Sequence, residues 1–385
     1  MRSSSGVPGT VAIYFADDPR YLYQLRQWLP VFERLHERHP SVIVACHPDT
    51  HAVLREETPL PSLLAPTWPE LIGHYESSDY KVAVYVNNSD FNFLSLAAPR
   101  MLHVHVNHGE SDKVCMVSNQ VKAYDRVFVA GEAAVRRHKA ALLEFDERAL
   151  VRVGRPQLDL RPEPVLPPSP RRTVLYAPTW QGENPSNNYT SLDVLGEAIV
   201  AAALAVPDVR LVYKPHPRVA LGATADVAAA HDRVVGLVTE AARREPAAGH
   251  LVAGGDILAV FPGCDLMITD VSSVGLDFLY LHTDKPLVLT DRYGDRERLL
   301  AAAPVSRCAD VVDAVTVDGL SRLLAARLRD DVHREARAAL RRHYFGDLAP
   351  GESTARFLDA IDEVVAARDG ALARSSVALA GASCG

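Results

Sequence analysis

The sequence is poor in the features that mark several large classes of protein. Cysteine is sparse: Cys46, Cys115, Cys264, Cys308 and Cys384 are scattered over 385 residues without metal-ligand or redox spacing. That excludes a disulfide-built fold, makes a reducing cytoplasm the expected setting, and gives no reason to expect an essential metal or other cofactor. No apolar run approaches the roughly 20 residues needed to span a bilayer, so an integral membrane protein is excluded. The opening stretch MRSSSGVPGT has no apolar centre, so a secretory leader is not expected. Basic residues are not in excess either: 41 Lys and Arg against 48 Asp and Glu give a formal charge of −7. Nucleic acid is therefore a poor candidate for the main partner, although a local basic patch could still hold an anion.

What is present is a regular alternation. Short β-rich apolar runs, VAIYF (11–15), SVIVAC (41–46), KVAVYV (81–86), MLHVHV (101–106) and RVFVA (126–130), are separated by helical patterns near 19–38 and from Gly131. Such a sequence predicts a parallel sheet covered by helices. Closely spaced prolines then deny regular hydrogen bonding to VGRPQLDLRPEPVLPPSPRR (153–172), and the alternation resumes with TVLYAP, RLVYKPHP, DLMITD and PLVLT. The expected organisation is α/β throughout, as two Rossmann-like domains. An N-terminal α/β domain spans 10–155, a Pro-rich linker 156–172, a second α/β domain 173–350, a C-terminal helix 351–368 and a mobile small-residue tail 369–385.

In open parallel sheets, ligands bind beyond the carboxyl ends of strands. Four polar segments directly follow strand patterns: NHGESDK (107–113), TWQGENPSNN (179–188), KPHPR (214–218) and DVSSVGLD (270–277). Ser272 and Ser273 fall at the start of a helix, where free amides and peptide dipoles favour an anion, with Asp270 just before them and Asp277 a turn later. Asp270 or Ser272 acting only as a helix cap is the plainer explanation of these residues. Lys214, His216 and Arg218 alternate in a run that reads as extended, which points three potential cations to one side, as a diphosphate requires. In NHGESDK, Gly109 allows a sharp turn after His108. This imidazole could accept a proton from an attacking hydroxyl, with Glu110 or Asp112 to orient it and Lys113 to steady a phosphate. His103 and His105 alternate with apolar residues and read as satisfied strand histidines.

In order and spacing, NHGESDK, VLYAPTW, YKPHP and DLMITDVSSVGLDFLYLHTDKPLVL resemble the CDP-glycerol glycerophosphotransferase family, which includes teichoic-acid primases and polymerases, over about residues 100–360. The resemblance implies a GT-B fold with two Rossmann-like domains facing an interdomain cleft, the donor on the C-terminal domain and the acceptor near the N-terminal one. It implies transfer of glycerol phosphate, or a related polyol phosphate, from a CDP-activated donor to a hydroxyl acceptor with release of CMP. His108 would be the general base, and His216 would contact the donor phosphates. Thr179, Ser272, Ser273 and Asp277 would surround the donor, and GESTARFLDAI (351–361) adds Ser353 and Arg356. Many family members carry threonine-proline-x-lysine after the histidine and glycine, where this chain has ESDK, and that departure falls in the acceptor half.

Two other functions fit the same architecture: a glycosyltransferase using a nucleotide sugar, and a non-catalytic nucleotide-binding protein. A lipid-linked acceptor would bring the enzyme to the inner face of the cell membrane as a peripheral protein. RYLYQLRQWLPVFERLHERHP (20–40), which mixes Arg26, Arg34 and Arg38 with Trp28, Leu29 and Leu35, reads either as an interfacial helix or, more commonly for such a pattern, as a helix packed on its own sheet.

Overall fold

The computed structural model describes residues 9–382. The first eight residues, read above for a leader, and residues 383–385 at the end of the tail lie outside the described residues. The chain divides into two compact units, one made of residues up to 108, 117–160 and from 345 onward, the other of 109–116 and 161–344.

Among the described residues, the first unit holds a seven-stranded sheet made of β1 (Val11–Phe15), β2 (Ser41–Ala45), β3 (Ser62–Leu64), β4 (Val82–Tyr85), β5 (Leu102–His105), β6 (Arg126–Val129) and β7 (Leu150–Arg152). The order is β3-β2-β1-β4-β5-β6-β7 and every pairing is parallel. These strands are continuous apolar runs because both faces of the sheet are covered. Alternate residues of β1 serve the two faces. Val11, Ile13 and Phe15 join a core with Phe32, Leu35 and Phe357, whereas Ala12 and Tyr14 join Tyr75, Tyr80 and Tyr124.

The segment read as a possible interfacial helix lies on this sheet. Its helix Leu29–Arg38 buries Leu29, Val31, Phe32 and Leu35, and Trp28 just before it is buried as well. Its cations are used locally, Arg26 bonding Glu57 at 2.6 Å and Arg38 bonding Asp359 at 3.0 Å. Its apolar face is therefore spent in the core, leaving nothing to enter a bilayer. No helix among the described residues is long and apolar enough to cross a membrane.

The C-terminal helix Glu352–Ala382 returns to the same unit. Its Phe357 ring lies 5.3 Å from Trp28, 6.4 Å from Phe32 and 5.9 Å from Phe128, which fastens the helix to the sheet. Further along, Arg368 donates to Asp79 at 2.6 Å and Lys81 donates to Asp369 at 2.5 Å. The stretch expected as a tail thus continues this helix as far as Ala382.

The second unit repeats the scheme with β8 (Arg172–Ala177), β9 (Val209–Tyr213), β10 (Leu251–Val252), β11 (Leu266–Thr269), β12 (Leu287–Thr290) and β13 (Asp310–Val312). The parallel order is β10-β9-β8-β11-β12-β13. Helices Leu192–Leu204 and Ala225–Arg244 cover one face, burying Leu195, Ile199, Val234 and Val238. The Pro-rich segment is not structureless. Pro156–Asp159 forms a short helix with proline at its first position, where a missing N–H costs nothing. Leu166 is buried against Gly263, and Arg210 donates to the Pro167 carbonyl at 2.6 Å.

Phe357→Ala removes the ring on which three aromatic neighbours converge and is expected to cost about 3–5 kcal/mol of unfolding free energy. Urea denaturation followed by tryptophan fluorescence measures it, and an unchanged midpoint would show that the C-terminal helix does not stabilise this sheet.

Candidate active site

In both sheets the strand order reverses beside the first strand, between β1 and β4 in one unit and between β8 and β11 in the other. Crevices at such reversals, beyond the carboxyl ends of the strands, are where open α/β sheets bind ligands.

In the second unit the organising group at this point is Asp270, the residue after β11. Its side chain is fully buried. Oδ2 accepts the Thr179 N–H at 2.6 Å, while Oδ1 accepts the Ser191 N–H at 3.2 Å and the Thr290 hydroxyl at 2.5 Å. One carboxylate thus joins the loop after β8, the start of the helix Leu192–Leu204 and the end of β12. Burial pushes its pKa up, and these hydrogen bonds oppose that shift. Asp270 does not act as the cap of the following helix, because its oxygens are directed to these three neighbours.

Ser272 occupies the backbone cap position of the helix Ser273–Leu281, yet its hydroxyl lies 3.4 Å from Thr269 Oγ1 instead of capping the helix. Capping therefore does not account for either residue. Asp277, one turn on, is buried.

Gly109 packs directly on this helix start. A Cβ at Gly109 would lie 2.8 Å from Ser273 Cβ, closer than two carbons can approach. The sharp turn expected at Gly109 is made two residues earlier instead, by Asn107 with φ 53°. Asparagine tolerates the left-handed region, and its Oδ1 accepts the His108 N–H at 2.7 Å. Gly109 is needed for close approach, not for turning.

From Gly109 to Met116 the chain belongs to the second unit. Lys113 is buried, and its Nζ donates to Thr179 Oγ1 at 2.9 Å, so a single chain of bonds runs from Lys113 through Thr179 to Asp270. Burial lowers the Lys113 pKa. Asp112 accepts a hydrogen bond from the Tyr344 hydroxyl, and Glu110 is buried. The acidic residues of ESDK are thus interior groups of this unit.

The KPHPR segment departs from the extended run read in the sequence. After Lys214 the chain enters the helix Pro217–Gly222, capped by His216 Nδ1, which accepts the Arg218 N–H at 3.1 Å. Proline at the first helical position fits this start. His216 and Arg218 meet on Trp180 instead, a residue the sequence reading does not single out. Its indole stacks on the His216 ring at 6.2 Å, and the Arg218 guanidinium lies 4.2 Å from its centroid. Lys214 is buried, which lowers its pKa.

The remaining candidates belong to the first unit. The His108 ring meets Tyr23 edge-on at 6.0 Å, and its carbonyl accepts from Arg155 Nη1 at 3.3 Å. Ser353, fully buried, accepts the Arg155 N–H at 3.0 Å, whereas Arg356 is bonded to Glu352 at 2.6 Å. Ser353 thus acts on the residue that holds the His108 backbone. His103 is satisfied by Tyr85 and the Ala98 carbonyl, while burial holds His105 neutral with its pKa at about 3.

Residues 84–361 match the family model for CDP-glycerol:poly(glycerophosphate) glycerophosphotransferase. The chain belongs to this family. Among solved structures, it is similar to the wall teichoic acid polymerase TagF, with 12% identity, TM-score 0.59, and coverage of 93% of this chain and 90% of that one. It is similar also to a putative UDP-N-acetylglucosamine 2-epimerase from Listeria monocytogenes, with 15% identity, TM-score 0.58 and coverage of 92% and 96%. A third neighbour is HepE from Anabaena in complex with UDP and glucose, with 11% identity, TM-score 0.54 and coverage of 93% and 99%. At these identities the likenesses establish the α/β, GT-B-like fold. No curated protein matches the sequence.

For this glycerophosphotransferase-family chain, Asp270→Ala is expected to lower unfolding free energy by about 3 kcal/mol or more, since three interior donors lose their acceptor at roughly 1–3 kcal/mol each. Thermal denaturation of the variant checks this. A melting temperature equal to that of the wild type would mean the carboxylate does not hold these loops together.

Proposed function

We propose that the protein transfers glycerol phosphate, or a related polyol phosphate, from a CDP-activated donor to a hydroxyl acceptor in the synthesis of a teichoic-acid-like or capsular polymer. The observation that carries this reading is the convergence of Gly109, Lys113, Thr179, Asp270, Ser272 and Ser273 on the strand-order reversal of one sheet. Family membership supports the chemistry. The enzyme would work in the cytoplasm, peripherally at the inner membrane face if its acceptor is lipid-linked.

In this mechanism the donor diphosphate is received at the start of the helix Ser273–Leu281. Unpaired amides and the serine hydroxyls donate to it there, and the Ser272 hydroxyl is not consumed in capping. Lys113 uses one of its three donors on Thr179, and its charge favours the phosphates. Arg218, held by Trp180, supplies further positive charge, and the neutral His216 ring beside it can donate from Nε2. The acceptor oxygen attacks the phosphorus that bears glycerol, the bond from that phosphorus to the bridging oxygen breaks, and CMP departs with that oxygen. His108, one peptide bond before Gly109, takes the proton of the attacking hydroxyl. Catalysis of this kind is mostly positioning and electrostatic stabilisation.

Purified protein is incubated with CDP-glycerol, CDP-ribitol and UDP-sugars, and nucleotide release is measured. CMP from a CDP-polyol is expected; UDP release alone would instead favour a nucleotide-sugar glycosyltransferase, and no release from any donor a non-catalytic nucleotide binder. His108→Ala should reduce turnover by about 100 to 10,000-fold, the usual contribution of a positioned base, while CDP-glycerol binding by calorimetry persists. Near-normal turnover in that variant would remove His108 from the mechanism.

A further inference from the structure

One face of the helix Arg334–Phe345 reaches the proposed donor site of the second unit by two routes. Arg337, Arg341 and Tyr344 stand at positions i, i+4 and i+7, so their side chains share that face. Arg337, buried, donates from Nε to the Thr283 carbonyl at 3.0 Å. Arg341 donates from Nε to the Tyr280 carbonyl at 3.0 Å, and its guanidinium lies 4.7 Å from the centroid of the Tyr280 ring. Both carbonyls lie at or just beyond the end of the helix Ser273–Leu281, where the last C=O groups lack intrahelical partners and the dipole favours a cation. Further along the same face, the buried Tyr344 hydroxyl donates to Asp112 Oδ2 and accepts the Val305 N–H at 2.9 Å.

Helix capping accounts for the two arginines and not for the tyrosine. Asp112 belongs to the segment 109–116, in which Gly109 packs against Ser273 and Lys113 donates to Thr179. The helix Ser273–Leu281 has nine residues and is about 14 Å long. Its far end is therefore gripped by Arg337 and Arg341, while the segment pressed on its start is gripped by Tyr344. The buried Cys308 thiol feels the charges of both Arg337 and Asp112, which places the two grips in one interior cluster. Every residue of this cluster lies in the second unit.

We infer that Arg337, Arg341 and Tyr344 are positioning residues: together they set the helix Ser273–Leu281 against the segment 109–116, and so fix the spacing between its first amides and the Lys113 ammonium. This rests on the transferase reading above and deepens it. The three side chains act through the helix and through Asp112, and the affinity for the diphosphate of the donor depends on them.

Calorimetric titration of the full chain with CDP tests this, at a temperature where circular dichroism shows each variant folded. Arg341→Ala and Tyr344→Phe should each weaken CDP binding by about fivefold, within the range for residues that act on a site through packed neighbours. Arg341 is partly exposed, so its variant gives a reading even if Tyr344→Phe fails to fold. Asp112→Ala should lose as much as Tyr344→Phe, whereas Asp112→Asn, whose amide oxygen still accepts from the tyrosine hydroxyl, should keep most of the wild-type affinity. A purely structural role would lower the melting temperature and leave CDP affinity unchanged. Wild-type affinity in either folded variant, or equal losses in Asp112→Asn and Asp112→Ala, would overturn the inference; CMP release from CDP-glycerol, followed in parallel, would then leave the transferase reading intact. CDP binding that the variants lose, with no CMP release by the wild type, would count against the transferase reading and leave the positioning face standing. No CDP binding by the wild type would overturn both.

Discussion

A single buried carboxylate sets the geometry of the carboxyl edge of the second sheet. Asp270 sits where β11 gives way to a helix, and it draws in a backbone N–H from the loop after β8, another from a neighbouring helix start, and the hydroxyl that ends β12. Moving a carboxylate out of water is costly, and three inward donors offset that cost. Because the same Thr179 that donates its N–H to Asp270 accepts from Lys113, the loop after the strand and the lysine of NHGESDK are fixed by one network. The glycine of that motif completes the arrangement by leaving room for Ser273.

The two sheets share one topology, and their carboxyl edges carry opposite chemistry. The second unit gathers donors and positive charge: Lys113, the first amides of the helix Ser273–Leu281, and Arg218 over Trp180. At the same topological position, the first unit places the Asp17 carboxylate, which accepts from Asn87 and Ser89.

Much of the fold is legible in the sequence because it depends on local rules. Continuous apolar runs separated by helical patterns specify parallel sheets, and polar residues directly after those runs fall at the carboxyl edges of the strands. What escaped depends on contacts distant in sequence. Arg218 reads as extended because prolines alternate with the residues before it, but Pro217 can open a helix, and His216 Nδ1 is the cap that makes it do so. Gly109 reads as the residue that allows a sharp turn, although the left-handed residue is Asn107 and the glycine serves for packing on a helix about 160 residues away. The Asn-His-Gly sequence after a strand held that signal, since asparagine is the side chain most at home in such a turn. The role of Asp270 had no local signature, because its partners come from three separate segments. The helix Ala225–Arg244 was overlooked since its buried face is marked by only Val227, Ala230, Val234 and Val238 amid many small residues. Short edge strands such as β10 and β13 offered too few residues to show a pattern.

The central claim is that the carboxyl edge of β8 and β11 holds the donor diphosphate. Its most direct test is a crystal structure of the protein soaked with CDP-glycerol. The account predicts both phosphorus centres at the start of the helix Ser273–Leu281, with phosphate oxygens within hydrogen-bond distance of the Ser273 amide and a serine hydroxyl. Nucleotide density elsewhere on the molecule, with this helix start untouched, would contradict it.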